Sequence, residues 1–146
     1  MHFDGSFTLR GAGAGVVLIV PTGEVLKYVI RLDFRATNNM AEYEGLLAGL
    51  RAAASLGIRR LLVKGDSQLV VNQVSKEYQC SDPMMAAYLA EVQRLECRFD
   101  GLELRNVLRR DNQLADELAR AASARELPPV GAFAESLQRP TVSVPI

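Results

Sequence analysis

Residues 16–34, Val16-Val17-Leu18-Ile19-Val20-Pro21-Thr22-Gly23-Glu24-Val25-Leu26-Lys27-Tyr28-Val29-Ile30-Arg31-Leu32-Asp33-Phe34, decide the fold. The opening run is apolar without alternation, as in a strand buried on both faces of a sheet. Pro21-Thr22-Gly23 is turn chemistry and fits a hairpin into the next strand. There Leu26, Tyr28, Ile30, Leu32 and Phe34 alternate with Lys27, Val29, Arg31 and Asp33, the period-two pattern of a strand with one wetter face. Upstream, Phe3-Asp4-Gly5-Ser6-Phe7 is a further short alternating strand, and Gly11-Ala12-Gly13-Ala14-Gly15 reads as a flexible turn. Three successive strands exclude a plain strand-helix-strand repeat.

Helical spacing takes over after Thr37-Asn38-Asn39. Tyr43, Leu46, Leu47, Leu50, Ala53 and Ala54 share one stripe, and Gly57 closes that helix. Leu61-Leu62-Val63, within residues 59–66, reads as a short buried strand. Ser67 can cap a helix carrying Val70, Val71 and Val74, and Asp82-Pro83 starts another bearing Met85, Tyr88, Leu89, Val92, Leu95 and Phe99. Leu102, Leu104 and Leu108 suggest a last strand, and Asn112 would cap a final helix with Leu114, Ala115, Leu118, Ala119 and Ala122. The order βββ-α-β-α-α-β-α predicts an α/β domain over residues 1–125, a mixed five-stranded sheet flanked by helices. Beyond it the pattern dissolves into Leu127-Pro128-Pro129 and Arg139-Pro140-Thr141, so residues 126–146 are expected to form a C-terminal tail or linker.

The 146 residues suffice for one domain with a real core. A content of 49% hydrophobic and 23% charged residues places the chain among globular proteins. No apolar run approaches the ~18–20 residues of a membrane helix, and no signal-peptide pattern is read at the start. An intracellular setting, cytoplasmic or nuclear, is expected from the two cysteines, which look like reduced thiols. Cys80 and Cys97 with the single His2 cannot assemble a Cys/His zinc site and are expected to be reduced thiols. Seventeen basic and seventeen acidic residues cancel, so no basic excess argues for nucleic-acid binding, and any such function must rest on particular residues.

Four carboxylates are those residues. Asp4 lies inside the first strand, Glu42 in the first turns of the first helix, Asp66 at a strand-to-helix junction, and Asp116 inside the last helix. Each has an ordinary explanation taken singly: a favourable helix dipole for Glu42, a junction cap for Asp66, an i,i+4 pair with Arg120 for Asp116. Asp4 is hardest to explain away, because mid-strand Asp is disfavoured. If the first and fourth strands are neighbours, Asp4 and Asp66 meet at the sheet centre, where crowded carboxylates need pairing or a metal. An all-oxygen set points to a hard cation, Mg²⁺ or Mn²⁺, and a pair of these is the template for in-line phosphodiester cleavage. A diacid sugar hydrolase has no support beyond the presence of carboxylates.

The residues around these acids carry a resemblance. Phe3-Asp4-Gly5-Ser6, Thr37-Asn38-Asn39-Met40-Ala41-Glu42, Gly65-Asp66-Ser67-Gln68-Leu69-Val70 and Arg109-Arg110-Asp111-Asn112-Gln113-Leu114-Ala115-Asp116 occur in that order. From Phe3 to about Ala124 the chain closely resembles the type I ribonuclease H family. The stretches 71–83 and Leu137-Gln138-Arg139-Pro140-Thr141 look more particularly like the corresponding domain of plant gypsy-type retrotransposon polyproteins. The resemblance implies strand order 3-2-1-4-5 with the second strand antiparallel. It also implies two-metal, Mg²⁺-dependent hydrolysis of the RNA strand of RNA/DNA hybrids, leaving 5′-phosphate and 3′-hydroxyl ends.

Carried over by position, Asp4, Glu42, Asp66 and Asp116 are the metal-binding catalytic acids. Gly5, Ser6, Asn38, Asn39, Ser67 and Gln68 match hybrid-contacting positions, and amides and hydroxyls can read 2′-hydroxyls. Some family members carry a mobile His in the loop before the last helix. Here Arg109 stands in that loop, able to hold a phosphate but not to act as a neutral-pH base. Asn112 is read as an N-cap with a secondary substrate role. Glu44 should face away from Glu42, Glu117, about 100° from Asp116, is a poorer ligand candidate, and both are expected to be solvated. Between Ser67 and Phe99 the only bases before Arg98 are Lys76 and Arg94, so the separate basic handle of some relatives is missing. Weak affinity in isolation is expected, helped by a tethered reverse transcriptase domain, with the isolated domain a monomer. Two bound divalent ions would leave the holo domain at about +4. The alternative function is a catalytically weak or inactive connection module of a reverse-transcriptase polyprotein.

Overall fold

The computed structural model describes residues 1–75 and 82–143. Its chain order is β1 (His2–Thr8), β2 (Gly11–Ile19), β3 (Val25–Leu32), α1 (Asn38–Ser55), β4 (Arg60–Gly65), α2 (Gln68–Val74), α3 (Pro83–Glu96), β5 (Gly101–Asn106), α4 (Gln113–Ser123) and β6 (Phe133–Leu137). A single 3-10 turn, Arg109–Asp111, precedes α4. The strands form one sheet in the order β5-β4-β1-β2-β3-β6, in which only β2 runs against its neighbours.

The expected 3-2-1-4-5 arrangement is therefore present, with a sixth strand added at its edge. That strand comes from the stretch expected to be tail or linker. It pairs parallel to β3 from Tyr28↔Phe133 to Leu32↔Leu137, with Phe133 stacked on Tyr28 at a centroid distance of 5.1 Å. Exposed along most of its length, β6 has no need of the apolar alternation by which a half-buried strand is recognised.

The glycine run 11–15 is the second correction. It lies within β2, not in a turn, and its glycines make room for α4. A Cβ at Gly15 would come within 2.4 Å of the Ala115 carbonyl oxygen, and one at Gly13 within 2.5 Å of Ser123 N. The reversal between β1 and β2 is made instead by Leu9 and Arg10.

The helices divide between the two faces of the sheet. On one face α1 covers β1 and β2, and its Leu46, Leu47 and Leu50 are buried with Phe3, Leu18, Ile30, Leu32 and Val63. Helices α2 and α3 extend this core, where Tyr43 stacks on Tyr88 at 5.3 Å and donates to Gln73 Oε1 at 2.6 Å. Thr37 caps the start of α1 by accepting from Met40 N, and Gly57, at φ +76°, turns the chain out of its end. On the opposite face α4 seats Ala115, Leu118 and Ala122 against Val17 and Val29. Arg125 locks α4 there by donating to the carbonyls of Ala12, Ala122 and Leu32, each at 2.8 Å. Among the described residues no helix is long and apolar enough to cross a membrane.

Candidate active site

Strand pairing brings the first two acids together. β1 and β4 are parallel neighbours with Phe3 opposite Gly65, so Asp4 and Asp66 follow side by side where β4 ends. Glu42 arrives from α1, and Gly5 permits its approach. A Cβ at Gly5 would lie 2.4 Å from Glu42 N, whereas the bare backbone donates its N–H to Glu42 Oε1 at 3.0 Å. Asp4, Glu42 and Asp66 each offer a carboxylate oxygen within 4.8 Å of the others.

Among the described residues no ion pair joins a basic side chain to any of the three. Asp4 and Glu42 are buried, and Glu42 Oε2 has no hydrogen-bond partner. Asp4's carboxylate lies beside Glu42's, but two carboxylates bond to each other only by sharing a proton. Burial, followed by the charge of Asp66 and side-chain contacts with Asp116 and Asp66, pushes the Asp4 carboxyl above the usual range, to about 7, against the Glu42 contact that lowers it. Burial and then Asp4 push Glu42 up as well. Such a set, all oxygen and short of positive charge, fits a hard divalent cation.

Asp116 is wired differently. Projecting from α4, it lies close enough to Asp4 to raise that group's pKa but outside the tight cluster of three. Its Oδ2 is 2.9 Å from Arg120 Nη2, and its Oδ1 is 3.9 Å from Arg109 Nη2.

The three clustered acids open into a cleft of about 400 Å³ that also exposes Gly5, Asn38, Ser67, Gln68 and Arg109. It lies beyond the carboxyl ends of β4 and β5, the usual place for a ligand in an α/β sheet. Three further residues line it that sequence reasoning missed: Asn106, Val107 and Leu108. Asn106 ends β5 opposite Gly65, the residue before Asp66. Its place follows from β4–β5 register, which the Leu102, Leu104 and Leu108 spacing could not supply.

Other expected contacts are not brought into this cleft. Ser6 turns toward α4, where its Oγ is 3.0 Å from that of Ser123, and Asn39 is not among the lining residues. Asn112 occupies the N-cap position of α4 but makes no side-chain capping bond. It is buried instead, its Nδ2 donating to the Phe3 carbonyl at 2.9 Å and its Oδ1 3.0 Å from His2 Nδ1. The expected cap and substrate contact is thus a strut between α4 and β1. Glu117 is exposed as expected, but Glu44 is fully buried. It accepts from Tyr88 Oη at 2.6 Å, from Thr141 N at 2.9 Å and from the Thr141 hydroxyl. Lys76 and the segment 76–81, which carry part of the basic-handle and gypsy-type readings, lie outside the described residues.

The fold and cleft define a ribonuclease H-like domain: a mixed sheet with a reversed second strand, carrying acids on two central strands and on a helix from each face. Comparisons with known proteins agree. A family profile described as "Reverse transcriptase-like" matches residues 2–122. Ribonuclease HI of Halobacterium salinarum is 36% identical over 125 residues, covering 83% of this chain and 62% of that protein. The crystal structure of RNase H1 from the same archaeon superposes with a TM-score of 0.75 at 35% identity, covering 85% of this chain and 96% of that one. The N-terminal RNase H domain of rv2228c from Mycobacterium tuberculosis matches with a TM-score of 0.75 at 34% identity, over 84% of this chain and 91% of that one. LC11-RNase H1, solved in complex with an RNA/DNA hybrid, gives 0.73 at 27% identity, over 85% and 95%. The chain belongs to the type I ribonuclease H family.

Proposed function

We propose that this chain is a divalent-metal-dependent endonuclease that hydrolyses the RNA strand of RNA/DNA hybrids, leaving 5′-phosphate and 3′-hydroxyl ends. The observation that carries this reading is the buried cluster of Asp4, Glu42 and Asp66, in which Glu42 Oε2 has no partner. The substrate assignment is supported by the likeness to LC11-RNase H1, solved in complex with a hybrid. Asp4, Glu42 and Asp66 hold the cations from the sheet side, and Asp116 adds a ligand from α4. When bound, a pair of Mg²⁺ ions, for which Mn²⁺ could substitute, would help to activate the attacking water and neutralise charge at the leaving 3′ oxygen.

The protein's own groups do the rest. The Gly5 N–H fixes one Glu42 oxygen and thereby aims the other. Asn38, Ser67 and Gln68 present amides and a hydroxyl from two sides of the cleft, suited to reading 2′-hydroxyls. Arg109, whose side chain is 80% exposed, can hold a backbone phosphate at the cleft's rim. A tethered reverse transcriptase domain, as in a gypsy-type polyprotein, would add affinity to an otherwise monomeric intracellular domain.

The test is incubation of the full chain with a labelled RNA/DNA hybrid in Mg²⁺, Mn²⁺ or EDTA, beside double-stranded DNA and an Asp66→Asn variant. Cleavage confined to the hybrid with metal and intact Asp66 is expected. A chain inert under all these conditions would be the connection module instead. Full activity of Asp66→Asn would sink the mechanism.

A further inference from the structure

The ion pair on Asp116 has a consequence for cation uptake. Arg120 Nη2 sits 2.9 Å from Asp116 Oδ2, one helical turn along α4, while Arg109 reaches only to within 3.9 Å of the other oxygen. Asp116 itself is nearly buried, its side chain 12% exposed against 62% for Arg120. Both line a hollow of about 410 Å³ with Arg109, Arg110, Gln113 and Glu117, beside the acidic cleft and sharing Arg109 with it.

We propose that Arg120 is a positioning residue that keeps Asp116 neutralised until a divalent cation takes its place, and so lowers the affinity of the Asp116 side of the site for cations. This rests on the cation-site reading above. The carboxylate cannot give its full charge to a guanidinium and to a divalent ion at once. The exchange is feasible because Arg120 is largely exposed and can swing into solvent, whereas Asp116 is held by the packing of α4 on the sheet. A released Arg120 faces the same hollow as Arg109 and Arg110, where a phosphate of a bound polyanion is its natural new partner. Cation binding and polyanion binding should then favour each other.

The experiment is titration of the full chain with Mn²⁺ alone, read by the electron paramagnetic resonance signal of free Mn²⁺. The variants are Arg120→Gln, Arg110→Gln, Asp116→Asn and the double variant Asp116→Asn/Arg120→Gln. Arg110 lines the same hollow but makes no ion pair among the described residues, so its substitution removes a nearby charge without freeing Asp116. Arg120→Gln should bind Mn²⁺ about two- to fivefold tighter, the range expected for releasing an exposed ion pair. Arg110→Gln should change affinity clearly less. In the Asp116→Asn background, Arg120→Gln should add nothing. Unchanged or weaker binding in Arg120→Gln, an equal gain in Arg110→Gln, or a gain that persists without Asp116 would each overturn the proposal while leaving the cation site standing. Failure of the wild-type chain to bind Mn²⁺ would overturn both.

Discussion

The four acids divide into two regions with opposite wiring. Asp4, Glu42 and Asp66 converge from β1, the end of β4 and α1, none of them ion-paired among the described residues, and one Glu42 oxygen is orphaned. Asp116, on α4 across the sheet, has Arg120 on one oxygen and Arg109 near the other. The first region has no ion pair to balance its charge; the second has one of its own. Carboxylates carried over together on the strength of one motif set are therefore not equivalent. Three should govern whether metal binds at all, and the fourth should tune it.

The largest expected effect of this difference is on activity. Asp66→Asn should reduce hybrid cleavage by more than about 100-fold, beyond the 10–100-fold typical of groups that only support metal ligands. Asp116→Asn should fall within that supporting range. Equal losses, measured as single-turnover rates in saturating Mg²⁺, would break the distinction.

Stability should respond next. At a hundredfold excess over its Kd, one bound ion adds about 2.7 kcal/mol, or about 5–10 °C in Tm for a chain of this size. Differential scanning fluorimetry in EDTA and in Mg²⁺ reads this shift directly.

The pH dependence of the metal-free chain carries the same signature. The pKa values of Asp4 and Glu42 are raised in the folded state, so that state holds more protons than the unfolded one once pH exceeds the ordinary carboxylate value near 4. Stability is then fully present below that value and is lost as pH rises through the raised folded values. Chemical denaturation in EDTA should give a falling free energy from mildly acidic toward neutral pH. Mg²⁺ should flatten the fall, because bound metal favours the deprotonated acids. The smallest effect belongs to Asp116→Asn in EDTA, which forfeits one i,i+4 pair, exposed only on its Arg120 side and worth about 0.3–0.5 kcal/mol. A rise in stability from that substitution would place Asp116 with the uncompensated acids.

What could be read from the sequence follows the same physical divide between local and distant causes. The hairpin around Pro21-Thr22-Gly23, the α1 stripe and the starts of α2 and α3 are set by residues within a turn or two of one another, and they stand as expected. Asp4 stands out in the sequence because charge inside a strand is locally costly, whereas Glu42, Asp66 and Asp116 stand out only beside it and through the family resemblance. The glycine run 11–15 was misread because its cause, the close approach of α4, lies a hundred residues downstream. Glu44 was placed correctly away from Glu42, since helix geometry fixes direction. Its burial depends on Tyr88 and on Thr141 of the segment after β6, neither of which helix geometry can foresee. Asn112 sits at the position a cap would take, yet its side chain answers to Phe3 and His2 on a strand at the other end of the chain. β6 escaped notice because an exposed edge strand is defined by its partner β3 rather than by its own pattern.

If the Asp4–Glu42–Asp66 cluster is built for a divalent cation, leaving it empty near neutral pH costs the fold stability. The most direct test is the melting temperature of the wild-type and Glu42→Gln chains near neutral pH, each in EDTA and in excess Mg²⁺. Glutamine can keep the Gly5 hydrogen bond and is neutral without having to take up a proton. Glu42→Gln should melt above wild type in EDTA, and Mg²⁺ should raise wild type while leaving the variant nearly unmoved. A variant that melts below wild type in EDTA, or that gains as much from Mg²⁺ as wild type does, would contradict it.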